Sequence, residues 1–182
     1  MNTRRLLLIP AAATALICAG GCASAPKVID RTVPGPQVAA NPDSFSLGVA
    51  NVMSMKIAFE GVGFQPDDTV SISLVGSDNT EIPLKIAKVD ADGTFNTVLN
   101  DSLDDVLIKS VSILRADVST ATGKAQVVVS QPPVPAGSYR LKVISLEGEA
   151  TAESTMNLQE PGMGDRTMDW IGGLAGIIVN KT

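Results

Sequence analysis

From Ser44 onward, apolar and polar side chains take turns along the chain, and this two-residue beat is the strongest constraint on what it can fold into. Phe45, Leu47 and Val49 alternate with Ser44, Ser46 and Gly48, and Met53, Met55, Ile57 and Phe59 alternate with Ser54, Lys56, Ala58 and Glu60. Val70, Ile72 and Leu74 alternate with Ser71 and Ser73, and Tyr139, Leu141 and Val143 with Arg140 and Lys142. Ala150, Ala152, Met156 and Leu158 keep a looser form of the same spacing. Successive side chains of a strand point to opposite faces, so such a run sets one face on a core and the other in water. Turn-forming residues separate the runs at Gly61 to Asp68, Gly76 to Asn79, Asp90 to Gly93 and Gly148. Short strands punctuated in this way predict a mainly β chain, an antiparallel sandwich over residues 44–160.

The N-terminal segment obeys different rules. Arg4 and Arg5 precede the apolar run Leu6-Leu7-Leu8-Ile9 and the small residues Ala11 to Gly21, the parts of a secretory signal over residues 1–21. The apolar stretch is too short to make a membrane-spanning helix. Ala19-Gly20-Gly21-Cys22 then resembles the bacterial lipobox, with Ala19 where Leu is usual. That resemblance implies that Cys22 is lipidated and that cleavage falls before it, and Ala23 after it resembles the pattern of lipoproteins sent to the outer membrane. Thr3-Arg4-Arg5-Leu6-Leu7 also resembles a twin-arginine export signal. Residues 22–43, broken by Pro26, Pro34, Pro36 and Pro42, read as a tether with a reach of roughly 60 Å.

Removing residues 1–21 takes two of the 14 basic residues and none of the 19 acidic ones, which leaves a net charge of −7. An acidic chain is a poor partner for nucleic acid or anionic head groups. There is no histidine, which removes Ser-His-Asp and Cys-His nucleophile activation and imidazole-based zinc sites. Cys22 is the only cysteine left after cleavage, so a packed core and no internal disulfide must hold the domain.

Gly61-Val62-Gly63-Phe64-Gln65-Pro66-Asp67-Asp68-Thr69-Val70 resembles the G-x-G-F-x-P signature of bacterial immunoglobulin-like domains of the IPT/TIG type. Asp92-Gly93-Thr94-Phe95 and Pro135-Ala136-Gly137-Ser138-Tyr139 resemble two further turns of that family, in order. The resemblance implies an immunoglobulin-like sandwich, a role in adhesion, scaffolding or presentation, and no catalytic residues or cofactor. Tyr139 resembles the structural tyrosine corner of such folds.

The stretch from Gly93 to Gly137 is longer than in that family. Within it Ser102-Leu103-Asp104-Asp105 resembles a helix N-cap with acids in the first turn. Leu103, Leu107, Val111, Leu114 and Val118 then predict a helix over about 102–119, with a strand as the competing reading because several neighbours are β-branched. Val127-Val128-Val129 follows as a strand. Residues 161–182 form a Gly-containing apolar tail in which Trp170, Ile171, Leu174 and Ile177 are candidate partner-binding residues. Gly172 and Gly176 have the spacing that lets helices approach closely. The readings open for the tail are a terminal element packed on the sandwich, a surface for a partner or self-association, and membrane contact.

Asp90 and Asp92 are weak candidates for calcium, since the further oxygen ligands of a calcium loop are missing; Asp-Gly between apolar runs predicts a hairpin instead. Asp104 and Asp105 read as partners of the helix dipole, Asp67 and Asp68 as turn residues, and Lys85, Lys88, Arg140 and Lys142 as solvent-facing strand positions. The expectation is a non-enzymatic envelope lipoprotein, held to the outer rather than the inner membrane by its lipid, whose domain binds or scaffolds another envelope protein or itself. A calcium-dependent ligand-binding or adhesion module is the alternative.

Overall fold

A computed structural model describes residues 27–100, 102–120, 123 and 125–181; Cys22 and the signal segment lie outside the described residues. The chain is mainly β, arranged in three sheets that are mixed and curled rather than flat. Strands β1 (Gln37–Asn41), β3 (Ile57–Val62) and β6 (Phe95–Leu99) form one antiparallel sheet in the order β1-β3-β6. A five-stranded sheet orders β2 (Ser44–Ser46), β10 (Thr151–Gln159), β9 (Gly137–Ser145), β4 (Thr69–Val75) and β5 (Glu81–Lys88). It is antiparallel except where β2 runs parallel to β10. A small third sheet places β8 (Gln126–Val129) between β7 (Ala116–Ser119) and β11 (Ile178–Asn180), the last parallel to β8.

The two-residue beat sets the sidedness of the first two sheets. Val70, Ile72 and Leu74 of β4, Leu141 and Val143 of β9, and Met156 of β10 are fully buried. They share one core with Ile57, Phe59, Phe95 and Leu99 of the opposing sheet. The glycine motifs interlock at one end of that core. The Phe64 and Phe95 rings meet edge to face at 5.5 Å between centroids, a contact worth about 1 kcal/mol beyond burial. A side chain at Gly61 would collide with the Phe95 ring. Gly93, at φ +78°, lets its carbonyl accept from the Phe64 N–H at 3.1 Å.

Several expectations need correction. The tether is shorter than residues 22–43, because Val38, Ala39 and Ala40 are buried and β1 is a full member of a sheet. Even Lys27 is fixed: its N–H donates to Asn41 Oδ1 at 2.8 Å, its carbonyl accepts from Asn41 Nδ2 at 3.1 Å, and its ammonium lies 3.1 Å from Asp43. Pro34, Pro36 and Pro42 therefore bracket a strand. The alternation through Val49, Met53 and Met55 also misleads, for Val49–Ser54 is a helix, α1. The Asp90–Gly93 turn is no hairpin, since β5 and β6 belong to different sheets and the turn carries the chain between them.

The helix expected over 102–119 is α2 (Leu103–Ile108) continued by a π-helical turn, Lys109–Ile113, after which the chain becomes β7. Ser102 caps it, its hydroxyl accepting from the Asp105 N–H at 3.2 Å. Its inward face follows only part of the stripe read from the sequence, since Leu114 is buried in the core. Asp105, Lys109 and Ser110 are buried, whereas Leu107 and Val111 are exposed. The tail is ordered as α3 (Met163–Leu174) and β11.

Candidate docking surface

Helix α3 is held to the domain by its acids. Asp169 lies at the N-terminus of α1, where Oδ2 accepts from the Val49 N–H at 3.0 Å and Oδ1 from the Ala50 N–H at 2.7 Å. Gly48 leaves α1 without a side-chain cap of its own, so a carboxylate from far along the chain supplies it. Asp165 Oδ2 accepts from Ser46 Oγ at 2.7 Å and from the Gly162 N–H at 2.9 Å. A Cβ at Gly48 would stand 2.5 Å from Asp165 Cβ, so only glycine admits α3 at this distance.

Beyond α3 the chain folds back. The Ile177 N–H donates to the Gly172 carbonyl at 3.0 Å, and Gln126 Nε2 donates to the Gly176 carbonyl at 2.7 Å. A side chain on Gly172 would stand 2.6 Å from Ile178 Cδ1. Gly172 and Gly176 thus serve this return and do not make a helix–helix contact.

With one turn per 3.6 residues, Asp165, Asp169 and Gly172 share the inner face, and Met163, Trp170 and Leu174 lie opposite. Met163 is 88% exposed, Leu174 71% and Trp170 65%; Ile171 and Ile177 extend the apolar surface. No residue of α3 is buried. A cleft of about 480 Å³ runs beside it, lined by Pro161, Arg166, Asp169, Trp170, Gly173, Leu174 and Asn180. A surface helix ordinarily turns apolar residues in and charges out; α3 does the reverse. The four tail residues singled out in the sequence are thus all at the surface, with Ile177 just past the helix end.

The opposite end of α1 is held by Lys109. This fully buried side chain donates to the carbonyls of Val52 at 2.6 Å and Met55 at 3.0 Å, with a longer contact to Met53 at 3.4 Å. Burial pulls its ammonium down to about 8, and the charge of Asp105 opposes that shift. Asp105 accepts from Lys85 Nζ at 2.7 Å, and Lys85 also donates to the Val98 carbonyl at 2.7 Å, so Lys85 is not a solvent-facing position. Neither Lys109 nor Asp169 announces its role in sequence, because each acts on a helix that the alternation conceals.

The remaining candidate residues serve the fold. Asp68 is buried and accepts from Ser145 Oγ, from the Thr69 N–H at 2.6 Å and from the Glu147 N–H at 3.2 Å. The Ser145 hydrogen bond above all holds its carboxyl below the usual range. Asp92 is likewise lowered, by the Thr94 hydroxyl at 2.7 Å and backbone N–H at 3.1 Å. Among the described residues no three acids gather as a metal site, and Asp90 and Asp92 acquire no third ligand. Tyr139 donates to the Pro135 carbonyl at 2.8 Å, and burial raises its phenol. Arg140 pairs with Glu153 at 3.5 Å on the surface. Among the described residues no helix is long and apolar enough to cross a membrane.

Compared with protein-family models and with curated proteins, the sequence finds no match in either.

Proposed function

We propose that the chain is a non-catalytic envelope lipoprotein, anchored through Cys22 in the outer rather than the inner membrane, whose immunoglobulin-like β domain is a docking and assembly module. One observation carries the docking role: α3 directs its acids into the domain and its tryptophan, methionine and leucine away from it. An apolar face of this kind is costly to leave in water and marks a contact surface. The immunoglobulin-like assignment is supported by the interlocked Gly61–Phe64 and Gly93–Phe95 motifs. The hydrogen bond from Tyr139 to the backbone a few residues upstream supports it as well. The anchor is supported by Ala19-Gly20-Gly21-Cys22 after a basic and apolar leader.

Intact-mass analysis of the protein extracted from membranes tests the anchor. The expected species begins at Cys22 and carries acyl chains, and Cys22→Ser abolishes it. Recovery of a processed chain with an unmodified thiol from the soluble fraction would overturn the proposal.

A further inference from the structure

We infer that the outward face of α3 lies on the lipid surface itself, giving the protein a second, non-covalent membrane contact beside its anchor. The inference rests on the lipidation of Cys22 proposed above and names the partner of the docking face. Its first support is the length of the link. Lys27 is fixed to Asn41, Asp43 and the Thr155 carbonyl. Five Cα-to-Cα steps separate it from Cys22, a span of at most ~18 Å. The lipid-bearing residue sits at the membrane surface, so the part of the domain around Lys27 is held close to that surface.

The second support is where α3 stands relative to that point. Asp43, the ion-pair partner of Lys27, immediately precedes β2, and Ser46 at the end of β2 donates to Asp165 of α3. Two strand steps of ~3.3 Å separate Ser44 from Ser46. After Lys27 the chain runs the other way, past the far end of β1, where the Gly35 carbonyl closes on Gly63. The chain therefore arrives at the domain on the α3 side, and a short link presents that side to the bilayer.

The third support is charge. The whole mature chain is strongly acidic, yet both acids of α3 point inward onto α1 and Ser46, and the charge left exposed on the helix is Arg166. A zwitterionic head-group layer accepts this face, and Trp170 suits the interface between head groups and acyl chains. A second copy of the chain is a poorer occupant. One face of a 12-residue helix, about 18 Å long and about 10 Å wide, falls well short of the roughly 800 Å² per partner that a stable protein interface buries.

Trp170 is the only tryptophan in the chain, so its emission reports this face alone. The experiment reconstitutes the intact protein, purified from membranes, into phosphatidylcholine vesicles with plain or brominated acyl chains. Trp170 is expected to emit at shorter wavelength than in detergent-free buffer and to lose about half its intensity on brominated lipid, as befits a side chain 5–10 Å into the interface. The pair Met163→Ser and Leu174→Ser is expected to reverse most of that quenching while the protein still floats with the vesicles. Flotation through the anchor with Trp170 emission unshifted and unquenched would overturn the inference and leave the anchor standing. Shielding of Trp170 that is indifferent to bromine, with cross-linked dimers, would assign the face to a second copy and overturn it too. An intact mass showing bare Cys22 removes the anchor, and with it the ground on which this inference stands.

Discussion

The sheets of this molecule are oriented by their apolar residues, whereas α2 with its π turn and α3 are oriented in large part by polar ones. In β4, β9 and β10 the apolar residues of each alternating run face the core, and Ser71, Arg140, Lys142 and Glu153 lie on the opposite face. In α2 with its π turn, Asp105, Lys109 and Ser110 face inward beside Ile113 while Leu107 and Val111 face out, and in α3 the acids face inward while Met163, Trp170 and Leu174 face out. A strand in a ladder has its backbone groups satisfied by its neighbours, so side-chain hydrophobicity alone decides which face is buried. The helices meet the domain at the two ends of α1. There the unpaired N–H and carbonyl groups select a carboxylate and an ammonium, in the sense that suits the helix dipole. Polar docking at α1 thus overrides the hydrophobic stripe.

That contrast can be broken by mutation. Leu141→Ala in β9 is expected to cost about 4 kcal/mol by opening a cavity in a fully buried site, read as a urea midpoint. Lys109→Ala comes next, at about 3 kcal/mol, because it leaves buried carbonyls at the end of α1 without a donor. Lys109 also gives a pH signature. Its folded value of about 8 lies below the ordinary 10.5, so the unfolded chain holds the extra proton across that window. Its contribution to stability therefore rises as pH climbs from about 8 to 10.5, and Lys109→Met is expected to flatten this rise. A wild-type curve that runs parallel to that of Lys109→Met would show the ammonium to be solvated.

Asp169→Ala is a smaller change, about 1 kcal/mol for the loss of one helix cap. Its sharper readout is local: amide exchange in α3 and β11 speeds up while β4 and β9 stay protected. If β4 and β9 loosened equally, α3 would be an integral part of the core rather than an appendage pinned by two carboxylates.

The strands were legible in the sequence where period two coincided with a ladder, and the G-x-G-F and Asp-Gly-Thr-Phe motifs marked the place where Phe64 and Phe95 meet. Helix α1 was not legible. Val49 and Met53 within it and Met55 just after it continue the beat of β2 and β3, and its cap lies at Asp169, some 120 positions away. The facing of α2 and its π turn was hidden for the same reason, since Lys109 enters the core for the sake of α1's carbonyls, which local pattern cannot reveal. The tail residues Trp170, Ile171, Leu174 and Ile177 were found by composition, but their outward orientation follows from Asp165 and Asp169, which a periodicity of apolar residues passes over.

The central claim is that α3 docks by its acids and leaves its apolar face open. Substituting that face in the lipid-free state tests it most directly: Trp170→Ser together with Leu174→Ser, followed by thermal melting of the detergent-free protein. Both side chains are largely exposed, so the pair is expected to change stability by less than about 0.5 kcal/mol per site. A loss of several kcal/mol, on the scale of Leu141→Ala, would show that these residues are core and would contradict the account.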